Sequence, residues 1–161
     1  MSKQEPPPPT VMITVYGKPK QKKTSDALAA FPRALFLGVP SAITLVAQNE
    51  LGFNPSVHPE SPKNLTELVS MLKSFAEIKD TTDYDAVVVD DISHLCQCSM
   101  LGWHESSPAG RSGKKDKFYP YQQLNQHLLE IAHASRYLGV HLLMNFHERP
   151  PGTNADGRFC P

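Results

Sequence analysis

Apolar and polar positions fall in blocks along the chain, and each block sets an element. Val11–Tyr16 is a short β-rich run, apolar except for Thr14. A run this short, apolar on both faces, predicts a buried strand of a parallel sheet. A helix-compatible segment, Asp26–Ala30, follows and ends at Phe31-Pro32, because a residue before proline disfavours the helical region. Ala34–Leu37 predicts a second short buried strand, closed by Gly38-Val39-Pro40. Ser41–Gln48 fits strand or helix equally, and Gly52–Pro62, with its three prolines, predicts a loop.

The second half of the chain is more periodic. Leu65, Leu68, Val69, Leu72, Phe75 and Ala76 recur with the i, i+3, i+4, i+7 spacing of one helical face, which predicts a helix over Asn64–Lys79. Asn64 suits its N-cap, with Glu67 placed as in a capping box. After a polar break at Asp80–Asp85, Ala86-Val87-Val88-Val89-Asp90 is a β-branched strand ending in an acid. Ser99–Lys117 lacks periodicity and is rich in Gly, Ser, Lys and Pro, which predicts a long mobile loop. Tyr121–Leu138 predicts a second amphipathic helix, with Leu124, Leu128, Ile131, Ala132, Ser135 and Leu138 on one side and Gly139 as its stop. Val140–Phe146 predicts the last buried strand, and Glu148–Pro161 a loop. Strands alternating with helices predict an α/β fold, a three-layer sandwich with a mainly parallel central sheet.

Composition narrows this picture. A length of 161 residues fits one domain with a real core. Pro6–Pro9 and its polar flank predict a disordered tail over residues 1–10, leaving 11–161 as the domain. Three cysteines argue against a disulfide framework and for a reducing compartment. With no signal-peptide core and no long apolar run, a cytoplasmic location is expected. The net charge is zero, but residues 1–33 carry six Lys/Arg against two acids, and residues 60–91 carry eight acids against three Lys.

The basic half holds the first candidate chemistry. Gly17-Lys18-Pro19-Lys20-Gln21-Lys22-Lys23-Thr24-Ser25 sits between a strand and a helix. A phosphate-binding loop reads Gly, four residues, Gly, Lys, then Ser or Thr. Gly17, Lys23 and Thr24 match, and Lys22 stands where the second Gly belongs. In such a loop, backbone N–H groups and the helix N-terminus surround phosphate, the Lys supplies charge, and the hydroxyl binds Mg2+. Lys23 and Thr24 take those roles, Gly17 permits the turn, and Ser25 can bond phosphate. Lys22 is tolerated if its backbone is αR-like and its side chain points outward. The plain alternative is a basic surface turn.

The second candidate is Val87-Val88-Val89-Asp90-Asp91, which has the form of a Walker B strand. Asp90 would hold the Mg2+ shell; the alternative is a strand ending in a solvated acidic turn. Arg111, Lys114, Lys115 and Lys117, with Phe118, Tyr119 and Tyr121, pair charge with aromatic rings as single-strand binders do. A solvated loop running into a helix is the alternative. His94, Cys96, Cys98 and His104 offer four Zn2+ ligands, without the usual Cys-x-x-Cys spacing.

Taken together, VYGKPKQKKTSDALAAFPRALFLG, YDAVVVDDIS and RYLGVHLLMNFHERPP resemble the RecA-like, AAA-type P-loop ATPases of bacteriophages, some tied to single-strand annealing and recombination. The resemblance spans about Val11 to Pro151. It implies ATP and Mg2+ at Gly17–Ser25 and Asp90. Asp91 falls where many ATPases place a Glu that activates water. It also implies that Asn145 or His147, ending the strand between the phosphate-loop and Walker B strands, senses the γ-phosphate. Lys23, Asp91 and His147 become the catalytic candidates, single-stranded DNA a partner, a homo-oligomer the assembly and the host cytoplasm the setting. Arg149 and Arg158 are equal candidates for an arginine supplied in trans.

Three departures stand against the pattern. Lys22 replaces Gly, no Glu follows the second strand, and the chain stops after the fourth strand, as a trimmed core would. A catalytically silent nucleotide-binding or assembly module is therefore an alternative. A small-molecule kinase is a third, without an Arg-rich lid to favour it.

Overall fold

A computed structural model of the chain describes residues 9–18, 22–38, 56–78, 83–110, 113–148, 152–153 and 159–160. Its elements in chain order are β1 (Met12–Gly17), α1 (Lys23–Ala30), β2 (Ala34–Gly38), β3 (Ser56–Val57), α2 (Leu65–Ile78), β4 (Ala86–Asp90), α3 (Ile92–Glu105), α4 (Tyr119–Ser135) and β5 (His141–His147). A pair of two-residue strands, β6 (Gly152–Thr153) and β7 (Phe159–Cys160), forms a separate antiparallel ribbon. The main sheet has the order β1-β5-β4-β2-β3, and every described pairing in it is parallel.

Strand alternation sorts the side chains into two layers. Ala34, Phe36, Val88 and Leu143 face α1, where they meet Ala27 and Leu28. Leu35, Leu37, Val87, Val89, Leu142 and Met144 face the other way, onto α2, α3 and α4. Both faces of the central strands are thus covered, which is why their sequences are apolar throughout rather than alternating. The three-layer α/β sandwich with a parallel sheet is the observed fold.

Helix α2 buries Leu65, Leu68, Val69, Leu72 and Phe75, the predicted stripe. Asn64 Oδ1 accepts the Glu67 N–H at 2.9 Å, so the N-cap stands. The Glu67 carboxylate reaches one residue further back than a capping box requires, to the Lys63 N–H at 2.8 Å. Helix α4 starts two residues before the predicted Tyr121 and ends at Ser135; Leu138 is buried in the turn beyond, and Gly139 follows at φ 73°.

Four expectations need correction. The strand expected to be buried at Val11–Tyr16 is β1 at the edge of the described sheet, with Met12 42% and Tyr16 66% exposed, and the loop expected over Glu148–Pro161 contains the β6–β7 ribbon. The loop predicted from Ser99 does not begin there, because α3 continues to Glu105. Ser99 is buried in that helix, donating to the Leu95 carbonyl and accepting the Leu65 N–H, both at 2.8 Å, and so docks α2. The remaining segment is closed by an Ala109–Lys115 bridge, and Lys115 Nζ holds the Glu105 carbonyl at 2.9 Å at the α3 C-terminus. The predicted Gly52–Pro62 loop contains the edge strand β3, which pairs with β2. The segment Ser41–Gln48 and the tail over residues 1–8 lie outside the described residues.

Candidate nucleotide-binding site

The C-terminal ends of β1, β5 and β4 meet the N-terminus of α1 along one edge of the sheet. This is where parallel α/β sheets place their ligands. Strand β5, distant in sequence, lies between β1 and β4, and its register sets His147 opposite Gly17. The edge therefore gathers Gly17, Lys23, Thr24, Asp90, Asp91 and His147 from four elements.

Lys23 and Thr24, at the start of α1, are both buried, 8% and 9% exposed. The Lys23 ammonium donates to the carbonyls of Gly17 at 2.9 Å and Lys18 at 2.7 Å. It also lies 3.3 Å from His147 Nδ1. An ammonium has no lone pair, so Nδ1 is the acceptor and the imidazole proton sits on Nε2. Nε2 faces Asp91 Oδ2 at 3.4 Å. Thr24 Oγ1 donates to Asp90 Oδ2 in a short hydrogen bond. Two contact chains thus cross the edge, Thr24–Asp90 and Lys23–His147–Asp91.

Lys22 departs from expectation. Its backbone is left-handed, φ 58° and ψ 13°, not αR-like, while its side chain is exposed. This is the conformation for which glycine is favoured, and a residue with a Cβ is disfavoured there by about 1–2 kcal/mol. Lys22→Gly is expected to stabilise the loop by up to about 1 kcal/mol, since glycine's larger unfolded-state entropy offsets part of the relief. It is also expected to tighten ATP binding. Thermal melts and titration calorimetry read both, and equal or weaker binding would count against the strain.

Asp91 carries a second task. Its Oδ1 accepts the Ser93 N–H at 2.7 Å and caps α3. Ser93 itself, not singled out in the sequence, accepts the His147 N–H at 2.9 Å. An acid before an apolar residue, as at Asp91-Ile92, is an N-cap signal that could have pointed to α3 and hence to Ser93. Pro19, Lys20 and Gln21 of the predicted loop lie outside the described residues, as do Arg111, Arg149 and Arg158. Ser25 is half-buried in the first turn of α1.

Asn145, the alternative to His147, is fully buried, and neither polar atom of its amide has a hydrogen-bond partner among the described residues. It stands two positions from Leu143 on β5, on the face turned to α1. An unpaired buried amide costs about 1–3 kcal/mol. Asn145→Val is expected to raise stability by about that amount in the nucleotide-free protein, and to shrink the further gain that nucleotide gives. Thermal melts with and without Mg-ATP test both; a fall in the nucleotide-free midpoint would show that the amide is satisfied.

The remaining candidates lie on α3, where His94, Cys96 and Cys98 line cavities shared with Asp90, Asp91 and His147, and in the segment after it. Lys114, Lys115 and Lys117 follow α3, and the Lys115 ammonium is engaged with its terminal carbonyls. His94 Nε2 and Cys98 Sγ lie 3.5 Å apart on one face of α3. Among the described residues no group of three His, Cys, Asp or Glu gathers to hold a metal. Burial, with Asp91 nearby, pushes the Cys96 thiol up to about 11, so it stays protonated at neutral pH.

A family model described as an AAA domain matches residues 10–156, nearly the whole chain. The chain belongs to the AAA domain family. The parallel sheet flanked by helices agrees with that membership, and this AAA domain has a P-loop ATPase-type, nucleotide-binding architecture. The match does not single out a phage group. No curated protein matches the chain significantly. Among the described residues, no helix of this AAA domain is long and apolar enough to cross a membrane.

Proposed function

We propose that this AAA domain is a Mg2+-dependent, RecA-like ATPase acting in phage or bacterial DNA recombination or replication, as a cytoplasmic homo-oligomer. The observation that carries the reading is the pairing of Thr24 with Asp90 beside the Lys23–His147–Asp91 chain. The residues fit a magnesium nucleotide on their own chemistry. Thr24 and Asp90 offer adjacent hard oxygen donors, Lys23 can exchange its carbonyl partners for phosphate oxygens, and Asn145 holds an unmatched donor and acceptor. Thr24 and Asp90 would hold the ion, which when bound neutralises charge on the phosphate oxygens.

The residues of the chain then divide the work. Loop N–H groups and the α1 N-terminus bind phosphate. Lys23 stabilises charge developing on the transferred group. Asp91 orients the attacking water and takes its proton. The new P–O bond forms at the γ-phosphorus as the bond to the bridging oxygen breaks, giving ADP and phosphate. His147, touching both Lys23 and Asp91, reports whether a γ-phosphate is present.

One observation favours a second reading, a nucleotide-binding or assembly module without turnover: Asp91 is engaged at both oxygens, by the cap of α3 and by His147. Single-stranded DNA is assigned to Lys114 and Lys117, with Phe118, 73% exposed, and Tyr121, 63% exposed, as stacking surfaces. The test is Mg-ATP binding and phosphate release, with and without single-stranded DNA, in wild type and Lys23→Ala. Wild-type release that the variant loses supports the ATPase; binding with release no faster than the variant's supports the silent module.

A further inference from the structure

Strand β5 runs further than one of its neighbours. Its pairing with β1 continues to Gly17 opposite His147, but its described pairing with β4 stops at Val89 opposite Met144. In a strand, the N–H and C=O of one residue point to the same side. The Glu148 N–H is bound to the Gly17 carbonyl at 2.9 Å, so its neighbour His147 turns its own N–H and C=O toward β4. There β4 has already ended, because Asp91 caps α3 and turns the chain away. Ser93, in the first turn of α3, fills the gap. Its Oγ accepts the His147 N–H at 2.9 Å and lies 3.4 Å from the His147 carbonyl, to which it donates.

We propose that Ser93 is the positioning residue for His147, a side-chain substitute for the missing β4 rung that holds the imidazole between Lys23 and Asp91. The inference rests on the nucleotide reading of Lys23 above, and adds how the γ-phosphate contact is kept in register. Among the described residues the hydrogen bonds of Ser93 go to Asp91 and His147 and none to Lys23 or the phosphate loop, so its effect passes through His147. Asp91 links the two, because one oxygen caps Ser93 and the other faces the imidazole. Losing the Ser93 hydroxyl frees the end of β5 while leaving the Thr24–Asp90 pair in place.

Four variants test this: Ser93→Ala, Ser93→Thr, His147→Ala and the Ser93→Ala/His147→Ala double. Titration calorimetry with ATP and ADP is the first readout. Ser93→Ala is expected to lower ATP affinity relative to ADP by roughly tenfold, a coupling within the range for residues sharing one network. His147→Ala should do the same, the double variant should add nothing, and Ser93→Thr, which keeps the hydroxyl, should recover the preference. Equal losses for ATP and ADP, or additive losses in the double variant, would overturn the proposal. The second readout needs no nucleotide: the imidazole nitrogen NMR signals of His147 should shift in Ser93→Ala and return in Ser93→Thr. Unchanged signals overturn the placement, while a wild type that binds neither nucleotide overturns the nucleotide reading and leaves the NMR result to decide Ser93 alone.

Discussion

Replacing Lys23 with alanine is expected to weaken ATP binding by about 10- to 150-fold, the affinity equivalent of one hydrogen bond to a charged group at about 1.5–3 kcal/mol. The ammonium sits among the Gly17 and Lys18 carbonyls and His147 Nδ1, at the mouth of α1. Those neutral acceptors neutralise none of its charge, so phosphate oxygens are the stronger partners. The same contacts give Lys23 a structural share, since it ties the end of β1 to the start of α1. Lys23→Met, which keeps the stem and removes the charge, separates the two roles. Both variants should lose ATP affinity together, with Lys23→Met melting closer to wild type. Calorimetric titration and thermal melts read the two effects. Unchanged affinity in both would make Lys23 a pin for the turn and leave the phosphate site without its charge.

Much of the fold was legible because local pattern and tertiary burial agree. Val87–Val89 and the Leu65–Phe75 stripe announce a two-sided strand and a one-sided helix, and both are buried as their spacing requires. Helix α3 was not legible by the same means. Its buried positions are Ile92, Leu95 and Ser99, too few and too polar to make a stripe, and Gly102 and Ser99 read as loop residues. Its start signal was present in Asp91, where the acid drew a chemical interpretation instead.

The placement of the candidate residues followed the same rule. Thr24, Asp90 and His147 were found as strand and helix ends, because motif spacing encodes an element boundary. What joins them was not encoded locally. The insertion of β5 between β1 and β4 is a topological fact, and it alone brings His147 to Lys23 across most of the chain. The left-handed backbone of Lys22 is likewise invisible in a lysine, since the residue type argues against the conformation it adopts.

Gly38→Ala is expected to destabilise the protein by about 1–3 kcal/mol, the usual range for a side chain forced into filled space. At about 2–4 °C per kcal/mol for a chain of this size, the thermal midpoint should fall by roughly 2–12 °C. Gly38 ends β2 opposite Asp90, and a Cβ there would overlap the Asp90 carbonyl oxygen and stand 2.8 Å from the Phe36 ring. The ring can turn aside, but the carbonyl is backbone, so the end of β4 must move. That movement reaches the site, because the Asp90 carboxylate is the partner of Thr24. The Mg2+-dependent part of ATP affinity should therefore fall more than the affinity measured in chelator. Circular dichroism melts and titrations at two Mg2+ concentrations check the pair of effects; a wild-type midpoint with unchanged Mg2+ dependence would show that the strand ends are not coupled. The same geometry bears on the acid missing after the second strand. Any side chain at position 38, a glutamate included, meets the Asp90 carbonyl before it can reach toward a nucleotide. With position 38 closed to a side chain, the carboxylate facing His147 is that of Asp91, and under the proposed ATPase reading turnover would depend on how readily its Oδ2 exchanges His147 for water.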